Sequence, residues 1–102
     1  MIMNHSITVN GHHVTAFLNG KVYSQDASIF REELLEQIDK GATEIRIDLS
    51  ALNYIDSTGL GVLITIHKRV TEKNGTVVIS GAQGMVEQLF KRTRLDRVLT
   101  MV

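Results

Sequence analysis

Ile45-Arg46-Ile47-Asp48-Leu49 alternates apolar and polar side chains, and shortly after it the chain reads Asp56-Ser57-Thr58-Gly59-Leu60-Gly61-Val62-Leu63. Alternation is the signature of a half-buried strand, whereas Leu60, Leu63, Ile66 and Val70 recur at three- and four-residue steps, as on a helix buried along one stripe. The pair predicts a strand handing over to a helix from about Ser57 to Asn74, with Asp56 and Ser57 in the positions that capping side chains favour. A helix start offers unpaired amides and a partial positive charge, so a phosphate attached there is tolerated and even favoured. Ser57 and Thr58 place two hydroxyls on that rim.

Working outward, Ser6-Ile7-Thr8-Val9 and the stretch from His12 to Leu18 flank Asn10-Gly11, a strong two-residue hairpin signal that predicts an antiparallel pair with Ile7 opposite Val14. Ser24 or Asp26 caps a helix carrying Ala27, Phe30, Leu34, Leu35 and Ile38, with Gly41 just past its end. Beyond the central helix, Thr76 to Ser80 has an unbroken apolar centre, which predicts a strand covered on both faces. A helix from about Gly84 to Thr93 bears Val86, Leu89 and Phe90 on one stripe, and Leu95, Val98 and Leu99 continue a short turn before Thr100-Met101-Val102. No proline, repeat or low-complexity stretch interrupts the series. The order β-β-α-β-α-β-α predicts one domain over residues 1–102 of α/β class: a small mixed β-sheet opening with an antiparallel hairpin, with helices packed on it.

Composition narrows the function. A chain of 102 residues buries about 65% of its unfolded surface in a single core. Eleven basic side chains balance eleven acidic ones, so no net field draws the protein to nucleic acid or an anionic membrane, and shape decides its partner. Without cysteine there is neither a disulfide nor a thiolate metal site. His12 and His13 point to opposite faces of a strand, and no carboxylate cluster joins them to His5 or His67, so these read as exposed, ordinary histidines. Neither a metal nor a cofactor is expected. The start Met1-Ile2-Met3-Asn4-His5 lacks the features of a signal peptide, and the longest apolar run, Leu60 to Ile66, is far too short to span a bilayer. The expectation is a cytoplasmic protein with no membrane insertion. Gly59-Leu60-Gly61 lacks the lysine of a phosphate-cradling loop, Asp56 to Gly59 is one residue too long for an aspartic-protease loop, and no nucleophile-base pair can be named. An enzyme is therefore not expected.

The element order and the central motif together resemble the single-domain anti-sigma factor antagonists of the STAS group. The likeness runs through Leu18-Asn19-Gly20, through Ile47-Asp48-Leu49-Ser50 with Asn53-Tyr54-Ile55 and the octapeptide, and through Leu89-Phe90 with Leu95-Asp96. It implies a protein that binds an anti-sigma factor or a switch serine kinase of the same ATPase class, is phosphorylated on a serine by that kinase, and is restored by a metal-dependent serine phosphatase. By position the acceptor is Ser57, with Thr58 the alternative. The rival within the same fold is a constitutive STAS subunit that modulates a lipid-transport ATPase or a stress-sensing scaffold. Family members often carry acidic residues in the turn after the second strand, a turn that helps meet the kinase, where this chain reads Gly20-Lys21-Val22-Tyr23. Lys21 and Tyr23 are therefore candidate partner contacts beside Asp56, Ser57 and Thr58.

The helix itself extends that surface. At about 100° per residue, Thr58, Gly61, Thr65 and Lys68 fall on the side opposite the apolar stripe and form a line of about 15 Å from the phosphosite. Gly61 costs about 1 kcal/mol relative to alanine inside a helix, so either another backbone approaches it closely or it packs against a neighbouring loop.

Overall fold

Asn10-Gly11 does fold the chain back on itself. In the computed structural model, which describes residues 5–102 and leaves Met1 to Asn4 outside the described residues, β1 (His5–Asn10) pairs antiparallel with β2 (His13–Val22). The loop, however, is Gly11-His12. Gly11 supplies the positive φ, +63°, at the first loop position, as a II′ turn requires, and Asn10 stays in the strand opposite His13. Ile7 therefore faces Ala16, and Val14 faces Val9, in place of the expected Ile7–Val14 pair. A slide of two residues preserves side-chain parity, so Ile7 and Val14 still share a sheet face.

Next come α1 (Ser24–Asp39), β3 (Glu44–Ile55), α2 (Ser57–Glu72), β4 (Thr76–Ser80) and α3 (Gly84–Arg92). A single 3₁₀ turn at Leu95–Arg97 then leads into β5 (Thr100–Met101). The strands lie in the order β1-β2-β3-β4-β5, parallel from β2 onward. β5 extends the expected element order: the last residues pair through Val78–Thr100 and Ile79–Met101. Tyr23 occupies the cap of α1, and Asp26, not Ser24, closes it by accepting the Tyr23 N–H at 3.0 Å. At the other end Gly41, at φ +109°, allows Ala42 N–H to reach the Gln37 carbonyl and its own N–H to reach that of Ile38.

Every parallel crossover steps the same way across the sheet, and right-handed crossovers in one direction put all the helices on one face. Burial agrees. Val14, Ala16, Leu18, Ile45, Ile47, Leu49, Val77 and Ile79 are buried, whereas the intervening Thr15, Arg46, Asp48 and Val78 are not, and Phe17 is 40% exposed. β4 is thus covered on one face only, contrary to the reading of its apolar run. The core lies between this face and the helices, where Phe30, Leu34 and Ile38 of α1 and Leu63, Ile66 and Val70 of α2 are almost fully buried. At about 1.5–3 kcal/mol for each such side chain, this layer is the main source of stability.

Two departures position the site. β3 does not stop at Leu49. It continues to Ile55 with its burial period changing to three, at Leu49, Leu52 and Ile55, because its register with β2 shifts between Phe17 and Asn19 and again between Gly20 and Lys21. Consequently Gly20-Lys21-Val22 is strand and not turn: Lys21 lies opposite Tyr54, and Val22 opposite Ile55. Gly20, at φ +64°, accommodates the irregularity.

Candidate functional site

Parallel strands β2 and β3 end side by side, and the carboxyl edge of such a sheet is where open α/β folds present their sites. Asp56 caps α2 there. Its Oδ1 accepts the Gly59 N–H at 2.9 Å and its carbonyl oxygen accepts the Leu60 N–H at 3.0 Å. With capping performed by Asp56, Ser57 becomes the first helical residue, exposed, its hydroxyl without a hydrogen bond among the described residues. Thr58 is exposed beside it. The amides of these two residues lack intrahelical acceptors, as first-turn amides do. Capping alone therefore does not account for Ser57.

The two glycines of the motif have different reasons to be there. A Cβ on Gly59 would lie 2.4 Å from Cγ1 of Ile55 and 2.8 Å from its Cδ1, and Ile55 is itself buried. Gly59 is needed so that the helix can start against the end of β3. A Cβ on Gly61 would meet nothing within 4 Å. Packing against a neighbouring loop, one of the two readings of Gly61, is thereby removed. Along the same side Lys68 is exposed, while Thr65 is half-buried and its Oγ1 donates to the Gly61 carbonyl at 3.0 Å.

Lys21 and Tyr23 reach the same edge through the β2–β3 pairing. Lys21 is exposed opposite Tyr54, and the Tyr23 ring lies 5.5 Å from that of Tyr54. Both tyrosines remain about half exposed. Tyr54, two residues before Asp56, was not singled out from the sequence; an outward aromatic between buried Leu52 and Ile55 was its only signal.

Elsewhere, hydrogen bonding by Ser50, through its side chain and its N–H at 2.8 Å, holds the Asp48 carboxyl below its ordinary value, with Arg46 assisting. This secures β3 where its register changes and lies outside the site. His5 departs from the expectation of exposed histidines. It is buried, its ring edge-on to Phe30 and its Nε2 2.6 Å from Glu33, because β1 carries it onto the face that α1 covers. His13 pairs with Glu44 at 2.7 Å and His12 bonds the Gly41 carbonyl. Among the described residues no three His, Asp or Glu side chains gather as a metal site, and no helix is long and apolar enough to cross a membrane.

The five-stranded mixed sheet that opens with an antiparallel hairpin and carries three helices matches the fold of STAS structures, and residues 4–102 match the family model described as "STAS domain". The chain belongs to the STAS-domain family. Among its relatives are proteins named anti-sigma-B factor antagonist. That of Listeria monocytogenes is 31% identical over 88 residues, covering 85% of this chain and 76% of the relative. That of Bacillus subtilis is 28% identical over 99 residues, covering 97% and 90%. The solved structure of the Bacillus cell fate determinant SpoIIAA in its phosphorylated form superposes with a TM-score of 0.79 at 18% identity, covering 96% of this chain and 90% of that one, a likeness of fold.

Proposed function

We propose that the protein is a phosphorylation switch without catalytic activity of its own, working in the cytoplasm. Its unmodified form binds an anti-sigma factor or a related switch serine kinase, phosphorylation of Ser57 releases that partner, and a serine phosphatase restores binding. The observation that carries the reading is the free, exposed hydroxyl of Ser57 beside a helix cap already satisfied by Asp56. The names of the relatives, anti-sigma-B factor antagonists, supply the partner class.

A phosphate at Ser57 adds a charge of about −1.5 to −2 at a helix N-terminus, where the dipole stabilises it and the Asp56 carboxylate opposes it. The fold therefore changes little. Release comes at the interface: a hundredfold loss of affinity requires about 2.7 kcal/mol, which burying a charged group against a surface shaped for a neutral hydroxyl supplies. Asp56, Thr58, Gly61, Thr65, Lys68, Lys21 and Tyr23 lie in the contact surface around it.

The test is to map phosphate on the protein isolated from its own cells by mass spectrometry, beside a Ser57→Ala chain. Phosphate on Ser57 that disappears in the variant is the expected result. Modification moved to Thr58 with unchanged yield would reassign the acceptor, and a Ser57 that is never modified would favour the constitutive STAS subunit.

A further inference from the structure

The strip proposed along α2 is made of small and polar residues, Gly61, Thr65 and Lys68, and side chains of this kind seldom carry the binding energy of an interface. A neutral hydroxyl at Ser57 decides whether binding is permitted, yet it contributes little attraction. Tyr23, half exposed against Tyr54, is the one aromatic side chain in the contact surface named so far, and it points to the surface on the other side of Tyr54 for further attraction. Beside the phosphosite, between the end of β3 and α3, lies a groove of about 210 Å³ lined chiefly by Tyr54, Ile55, Met85, Val86, Leu89 and Arg92.

Its position and chemistry both fit an anchor. Ile55 precedes Ser57 by two residues, so at 3.8 Å per Cα step their backbones are at most about 8 Å apart, well inside an interface of about 800 Å² per partner. Met85 is 77% exposed, the most exposed large apolar side chain among the described residues, and methionine adapts its shape to an incoming group. Tyr54, 42% exposed, and Arg92 are residue types in which interface hot spots are enriched. Arg92 makes no ion pair among the described residues, whereas the adjacent Lys91 is engaged by Glu87 at 3.9 Å. The groove thus offers an apolar floor with one free cation on its rim.

We infer that this groove is the anchoring subsite for the same partner that reads Ser57, taking one large apolar side chain whose neighbouring carboxylate pairs with Arg92. The inference rests on the switch proposed above and deepens it: Ser57 gates the complex, and the groove holds it. Phosphorylation therefore breaks the contact at one side of the interface while leaving the anchor surface unaltered.

A photo-crosslinking residue, p-benzoylphenylalanine, placed at Met85 or at Thr58 of the full chain in its own cells tests this. The expected result is an adduct with one and the same protein from both positions. With that protein purified, Met85→Asp and Arg92→Glu should each weaken binding at least tenfold while the thermal melt stays as in the parent, because both side chains are exposed. An adduct at Thr58 without one at Met85, or Met85→Asp binding within twofold of the parent, overturns the anchor and leaves the Ser57 switch standing. Tenfold weakening by Met85→Asp, with Ser57→Glu binding as tightly as the parent, overturns the switch instead. Adducts at neither position overturn both.

Discussion

Replacing Gly61 by alanine separates stability from binding, because the two are expected to move in opposite directions. The backbone at Gly61 is ordinary helix, and an added Cβ meets nothing within 4 Å. No cavity is filled and no contact is lost, so the whole folded-state effect is the difference in helix propensity, about 0.8–1.0 kcal/mol in favour of alanine. For a domain of this size that gain corresponds to a rise in Tm of about 3–8 °C. Gly59→Ala provides the control. The same propensity gain is there offset by overpacking against buried Ile55, at about 1–3 kcal/mol, so the net effect is a loss. Differential scanning calorimetry of the two variants beside the parent measures both. If a partner backbone approaches Gly61 closely, Gly61→Ala should be more stable than the parent and yet bind that partner at least tenfold more weakly. A Gly61→Ala protein that melts lower than the parent would refute the open-space reasoning. One that melts higher and binds equally well would remove Gly61 from the interface.

Leu63→Ala should destabilise the domain by about 2–5 kcal/mol, read by denaturant unfolding, since Leu63 is 1% exposed in the core between the sheet and its helices. Thr65→Arg should shift stability by no more than about 0.5 kcal/mol and still weaken partner binding, measured by titration calorimetry; unchanged affinity would move the contact toward Lys21 and Tyr23. Asp48→Asn tests a pH dependence: because hydrogen bonds from Ser50 depress the folded carboxyl, its contribution is complete above the unfolded value and disappears as pH falls through the folded one. Melts should therefore show the variant below the parent at neutral pH and the gap closing in acid. A gap that persists below the carboxylate range would assign the effect to packing and not to charge.

The local rules of the chain were legible without coordinates. Alternation over Ile45 to Leu49, the three- and four-residue steps of α1 and α2, Gly41 after α1 and Asp56 before α2 are each decided by residues within a turn or two of one another, so the sequence carries them whole. The same holds for the hydroxyl pair at the start of α2, because a strand followed by a capped helix places it on the rim whatever the rest of the chain does. What failed to show involved partners distant in sequence. The two-residue slide of the hairpin, the extension of β3 to Ile55 and the conversion of Gly20-Lys21-Val22 from turn to strand depend on register between strands, which local pattern leaves free. Val78 is half-buried because every crossover steps in one direction, a property of topology that an apolar run cannot encode. His5 is buried because α1 crosses the face on which β1 presents it. Gly59 and Gly61 read alike in sequence; only the closeness of Ile55 to one and the open space at the other tells the glycine the fold needs from the glycine it leaves free.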